Sequence, residues 1–264
     1  MMKNKKLSRF LSFIFAIVMV VGLLPSMSLR AAAADAMPTS GTVTLAAGKT
    51  YDFQGGTYTR TANFIIASGT VTVRVPANAN VTVNGAFDAT NKVGSPFTVR
   101  SGARLNLVIN GKLTCNGGNA ASVTTTTDNL WKAVFAGINV VSGGTLDIST
   151  ETGNGSTSGV LIAQAGNLSG DVQEGSAAGI GGNGYKDNVA AESCGTVIIG
   201  KNTNVTAKGS IEGGSRGGGA GIGGGGGGGR VAGGTGGRGK IYGKVDAEGA
   251  RVSSNDYGGG GIGG

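Results

Sequence analysis

One local pattern limits what this chain can become: a short strand, a Gly or Asn turn and a second short strand, repeated in the same order. It appears as VTLAAGKTYDF from Val43 to Phe53 and as VTVRVPANANVTV from Val71 to Val83. FTVRSGARLNLVI (Phe97 to Ile109), INVVSGGTLDI (Ile138 to Ile148) and VIIGKNTNVTA (Val197 to Ala207) follow, with a weaker IYGKVDA from Ile241 to Ala247. Inside the copies apolar residues alternate. Val71, Val73 and Val75 share one face, as do Val81 and Val83, or Leu105, Leu107 and Ile109. Period-two alternation marks a half-buried strand, with Thr, Arg and Asn turned to water. Beyond residue 34 no segment carries a convincing 3.6-residue apolar period, so the chain is predicted to be all-β.

Two all-β architectures compete. A sandwich would use hairpins, and Asn84-Gly85 and Asn110-Gly111 are dipeptides that suit such turns. Repetition in one order instead favours stacking unit on unit, which pairs strands in parallel around a continuous core. We therefore expect a right-handed parallel β-helix. The copies start 28, 26, 41, 59 and 44 residues apart, so its coils must carry insertions of unequal length. Thr124 to Thr127 and the stretch from Thr150 to Ser158 read as such loops.

From about residue 175 the texture changes. Gly-Ile-Gly-Gly recurs at Gly179 to Gly182, Gly221 to Gly224 and Gly261 to Gly264, 42 and 40 residues apart. We read this repeat as two coils. Ile180, Ile222 and Ile262 are placed to stack as an apolar ladder, with glycines permitting close backbone approach. A flexible linker is the opposing reading, since 18 of the 27 residues from Gly213 to Gly239 are glycine. The chain stops inside the third copy with no closing strand or cap, which reads as the N-terminal part of a longer protein. The resulting division is a β-solenoid domain at 35–175 and its glycine-rich continuation at 176–264.

Residues 1–34 read as a secretory signal peptide, forming a helix ahead of the β domain. Lys3, Lys5, Lys6 and Arg9 precede an uncharged run from Leu11 to Leu24, too short for a membrane span of roughly 20 residues. Pro25 ends that helix, and small residues follow, with cleavage expected after Ala34 or, alternatively, Ala36. Five of the 22 basic residues leave with the signal and none of the 14 acidic ones do, so the net charge falls from +8 to 17 − 14 = +3. The mature chain is only mildly basic, which argues against nucleic-acid and membrane partners.

The familiar catalytic chemistries find little support. Histidine is absent, which removes the commonest general base and metal ligand. Gly234 to Lys240 has the spacing of a phosphate-binding loop, but Ile241 stands where a magnesium-binding Ser or Thr is required. Calcium-type glycine repeats fail at Lys186 and Arg238, which occupy the aspartate position. Arg216, Arg230 and Arg238 among glycines have only Tyr242 and Tyr257 nearby on which a base could stack. Asp246 and Glu248, two residues apart on a strand, would share a face and are the conceivable pair for a glycosidase or lyase. Cys115 and Cys194, the two cysteines, either form one bridge or stay as separate buried side chains. Tyr51, Tyr58 and Trp131 are candidate glycan contacts, with Phe53 and Phe64 beside them; each is also a candidate for core or cap packing. No cofactor or metal is implied.

The signal region, with LLPSMSLRAAA from Leu23 to Ala33, resembles those of secreted clostridial Gram-positive proteins. The Ala-Gly-Ile-Gly-Gly blocks with their following strands, within 177–264, resemble the glycine-rich repeats of large cell-surface proteins of that group. The resemblance implies a surface-displayed, adhesin-like and carbohydrate-binding parallel β-helix with no catalytic residues to carry over. Together these readings predict a non-catalytic, extracellular or surface-attached protein. Its expected partner is a polysaccharide, host glycan or cell-wall glycan, through adhesion or glycan binding. A divergent β-helical lyase or hydrolase and a purely structural stalk are the alternatives.

Overall fold

The computed structural model describes residues 33–119, 134–151, 158–167, 175–185, 190–210, 217–227, 232–250 and 261–263. The expected signal helix within residues 1–32, Thr124 to Thr127, Trp131 and residues 152–157 of the expected second loop lie outside these residues. Among the described residues every regular element is a β-strand. Every pair of named strands is parallel.

The first sheet is ordered β1 (Asp35–Ala36), β3 (Thr50–Asp52), β5 (Gly69–Val75), β8 (Ala103–Ile109), β11 (Thr145–Ser149), β14 (Thr196–Ile199) and β17 (Arg238–Ile241). A larger sheet has two arms that meet in the eleven-residue strand β4 (Gly56–Ile66). From the first half of β4 its outer arm runs through β6 (Ala79–Asn84), β9 (Lys112–Asn116), β12 (Gly159–Gln164), β15 (Thr203–Lys208) and β18 (Lys244–Glu248). From the second half its inner arm runs through β7 (Phe97–Val99), β10 (Ile138–Val140), β13 (Ile180–Gly181), β16 (Ile222–Gly223) and β19 (Ile262–Gly263). Strand β2 (Gly41–Thr44) pairs with that second half as well. The chain visits first sheet, outer arm and inner arm in that order, as β5–β6–β7 and then β8–β9–β10, and so onward to β19.

Register turns the alternation into columns. On the first sheet Val73, Leu107, Ile148 and Ile199 lie side by side. The outer arm aligns Val81, Leu113, Leu161 and Val205. The inner arm aligns Phe64, Phe97, Ile138, Ile180, Ile222 and Ile262. All of these are buried except Ile262, on the last strand, at 57% exposure. Each fully buried side chain of this size contributes about 1.5–3 kcal/mol relative to exposure. The expected Ile180–Ile222–Ile262 ladder is therefore present, and it continues a column that begins with two phenylalanines.

One expectation is corrected. The repeat of about 41 residues is one passage through three strands, not two coils: Ile180 and Ile222 are direct partners. The hairpin that a sandwich would place at Asn110-Gly111 is absent, since this dipeptide joins β8 to β9, which lie in different sheets, in line with the parallel stacking expected. The six strand–turn–strand copies also occupy two different phases of the cycle. Val71 to Val83 spans first sheet and outer arm, whereas Phe97 to Ile109 spans inner arm and first sheet.

From β7 to β16 the inner arm is buried on both faces. Thr98 and Asn139 sit between inward neighbours, so they point the other way, yet they are only 6% and 2% exposed. In β13, β16 and β19 the Gly-Ile-Gly-Gly sequence lets neighbouring strands approach closely. Its second-last glycine, at Gly181, Gly223 and Gly263, has φ of 137°, 150° and 120°, a region that L side chains rarely enter. A methyl group on Gly181 would also collide with the Gly223 carbonyl, and one on Gly223 with that of Gly263.

Candidate functional site

The passage from outer to inner arm carries long connections in five successive cycles, at 85–96, 117–137, 165–179, 209–221 and 249–261. Most connections from the first sheet to the outer arm are much shorter, such as 76–78, 110–111 and 200–202. Loops positioned by a rigid sheet are where binding residues concentrate. The corner where the outer arm ends is therefore the place to look.

Its geometry follows from register. The last outward residue of each outer-arm strand forms a column: Thr61, Asn84, Asn116, Gln164, Lys208 and Glu248. Asn116 Nδ2 donates to Asn84 Oδ1 at 2.9 Å, and Lys208 Nζ lies 3.9 Å from Glu248 Oε2. The backbone ladder continues around the turn. Gly85, Gly117, Ala165 and Gly209 donate their N–H groups to the carbonyls of Asn116, Gln164, Lys208 and Glu248. With the backbone satisfied across layers, the side-chain amides are the groups left to face outward. At Gly117 a side chain would strike the Phe135 carbonyl, so the corner demands glycine there.

Two hollows open on this corner. One, about 420 Å³, is lined by four side-chain amides, Asn116, Asn119, Gln164 and Asn167, with the backbone of Gly117, Ala165 and Gly166 between them. The other, about 470 Å³, includes Thr42, Thr61, Asn63, Phe87 and Asp88. Buried Asn63 shapes it, donating Nδ2 to Thr42 Oγ1 (3.2 Å) and to the Ala86 carbonyl (2.6 Å) and accepting from Ala86 N–H (3.0 Å). Hydrogen bonds from the Thr42 side chain and from Asn91 hold the Asp88 carboxyl below its ordinary pKa, so it is ionised at neutral pH.

A second polar cluster lies over the inner arm. Glu192 accepts from Tyr185 Oη (2.6 Å), Asn139 Nδ2 (2.8 Å) and Asn183 N–H (3.3 Å). Burial, then the charge of Glu192, raises the Tyr185 pKa. Asn139 also donates to the Gly181 carbonyl at 2.9 Å. The carboxylate is thus committed to tying the segment before β14 across the inner arm, and its role is structural. Among the described residues no cluster of three His, Cys, Asp or Glu side chains converges to hold a metal ion.

The residues singled out from sequence are dispersed. Tyr51 and Tyr58 are half-buried against the core on different sheets. Tyr51 Oη accepts from Ala46 N–H at 3.0 Å, and Tyr58 Oη donates to the Gln54 carbonyl at 3.1 Å. The Arg60 guanidinium lies 4.7 Å from the Tyr58 ring centroid and 5.3 Å from that of Phe53. Phe53 and Phe64 are core residues. Asp246 and Glu248 share the outward side of β18, opposite Thr206 and Lys208. The corner amides were not singled out from sequence. Each ends a strand and precedes a small residue, as in Asn84-Gly85, Asn116-Gly117 and Gln164-Ala165, and that recurrence is the signal that could have found them.

Cys115, in register with Val83 and Ala163, and Cys194, whose backbone pairs antiparallel with Val141, are both free thiols and buried. Burial raises both thiol pKa values, that of Cys194 from 9.0 to about 11. Because the folded state disfavours the thiolate, this contribution to stability is complete below pH 9 and is lost as pH rises through about 11. We expect urea midpoints to fall between pH 9 and 11, and both thiols to resist a disulfide reagent at pH 8 until the chain unfolds. Rapid labelling of the native protein would refute this. No protein-family model matches the chain, nor does any curated protein or solved structure.

Proposed function

We propose that the chain is an exported, non-catalytic glycan-binding protein of the cell surface or its surroundings, whose residues from 35 onward form a right-handed parallel β-helix. The fixed order of first sheet, outer arm and inner arm, with parallel register throughout, supports the β-helical reading. The observation that carries the binding reading is the corner hollow with its four side-chain amides. An amide offers donors and an acceptor together, which suits a sugar hydroxyl that both gives and accepts a hydrogen bond. Among the described residues, the side chains of Asn119, Gln164 and Asn167 make no hydrogen bond to another residue, so their capacity is available to a ligand.

Incubating the mature protein with pectins, xylans and host glycans tests the reading. Retention without new reducing or unsaturated ends is the expected result. Cleavage that disappears in Asp246→Asn or Glu248→Gln would establish the enzymatic alternative instead. Retention of no glycan would leave the structural stalk.

Export has its own test. Strand β1 pairs with β3 through Asp35–Tyr51 and Ala36–Asp52, and Asp35 lies 3.5 Å from Lys49 Nζ. Cleavage after Ala34 keeps that strand, whereas cleavage after Ala36 removes it. The secreted protein is expected to begin Asp-Ala-Met-Pro by intact mass; a start at Met37, or an unprocessed chain, would contradict this.

A further inference from the structure

We infer that the corner takes an uncharged, extended polysaccharide laid across the strands, along the column Thr61–Asn84–Asn116–Gln164. This rests on the glycan-binding reading above and specifies its ligand. The first support is placement. The two hollows are not independent dimples, because Thr61 lines one, Asn116 and Gln164 line the other, and Asn84 stands between them in register. The Asn116–Asn84 hydrogen bond closes the step from one to the other.

Length follows from strand spacing. Thr61 to Gln164 spans three inter-strand steps, about 14 Å at the usual spacing. A single sugar ring engages one hollow at most, whereas a linear chain of several rings reaches both. The strand repeat presents polar side chains at regular intervals to such a chain, so each added sugar meets another layer until the column is used up.

Charge selects the class. Among the described residues that line it, the amide hollow has no ionisable side chain, so a uronate carboxylate entering it would lose water without gaining a cationic partner from them. The second hollow carries the ionised Asp88, which repels an acidic chain. Lys208 comes next in the column after Gln164, but it lies beside Glu248. A neutral chain meets none of these penalties, and amide–hydroxyl hydrogen bonds supply its affinity.

Calorimetry on the mature protein would compare neutral β-linked gluco-, xylo- and N-acetylglucosamine oligomers of increasing length with an oligogalacturonate series. Affinity for a neutral series should rise about tenfold or more from disaccharide to tetrasaccharide, as one or two further hydrogen bonds would produce, and then level off. Asn116→Ala and Gln164→Ala should each weaken the longer oligomers about tenfold and leave the disaccharide less affected. Thermal unfolding of both variants would verify that they remain folded. If either does not, Gln164→Glu, which keeps size and adds charge at a surface position, should give the same selective loss. Affinity that does not depend on length, or tighter binding of the galacturonates, would overturn this inference while sparing the glycan reading. Binding of neither series, nor of any glycan in the retention assay, would overturn both.

Discussion

Replacing Gly223 by alanine is expected to destabilise the fold by about 2–6 kcal/mol, combining a glycine-only backbone conformation with overpacking against a neighbouring strand. At φ 150° an L residue is strained wherever it sits. Here its methyl would also meet the carbonyl of Gly263 on the next strand and approach the Ala220 side chain. Gly263 belongs to the paired strand β19, where the Gly261 carbonyl accepts from Ile222 N–H at 2.9 Å, and the methyl of Ala220 has no side-chain torsion that could turn it aside. Gly239→Ala is the control. That position lies in the same glycine-rich stretch, but a Cβ there has nothing within 4 Å. Its cost should stay within about 0.5 kcal/mol. Equilibrium urea unfolding of the two variants checks the pair; equal stabilities would show that the glycines are a compositional filler and not a packing requirement.

Phe97→Ala is the second large effect, expected at about 3–5 kcal/mol for a buried aromatic whose removal leaves a cavity. Phe97 is fully buried, its ring centroid is 5.2 Å from that of Phe64, and its register partners are Phe64 and Ile138. The inner arm is short here, three residues in β7 and three in β10, and all of them are buried. Few other side chains can move into the gap, so collapse should recover little of the loss. Phe97→Leu retains most of the volume and should lose considerably less. If alanine and leucine melt alike, the column does not carry the stability assigned to it.

How far the sequence reached depends on how local each feature is. Strand identity was legible because alternation is written into neighbouring residues: Val71, Val73 and Val75 needed no partner to reveal their face. The isoleucine ladder was legible because its spacing, 42 and 40 residues, is nearly constant. The number of strands per repeat was not. Val81, Leu113, Leu161 and Val205 are successive partners, yet they are separated by 32, 48 and 44 residues, since the loops between them differ in length. Tyr51 and Tyr58 stood out by residue type, but each hydroxyl is satisfied by nearby backbone and each ring leans on the core. The corner amides looked like ordinary polar strand ends until register aligned them.

The repeated strand–turn–strand pattern therefore determined by itself that the described residues are all-β and which face of the alternating strands in the first sheet and outer arm is buried, and it marked the Gly-Ile-Gly-Gly blocks as candidates for close backbone approach. These depend on side chains a few residues apart and on backbone conformations only glycine adopts. Tertiary structure alone decided that three strands make one cycle, that the six apparent copies fall in two phases, and that Thr61, Asn84, Asn116 and Gln164 share one corner. Parallel pairing joins residues tens of positions apart through hydrogen bonds that read no side chain, so their register is settled only when the whole stack closes.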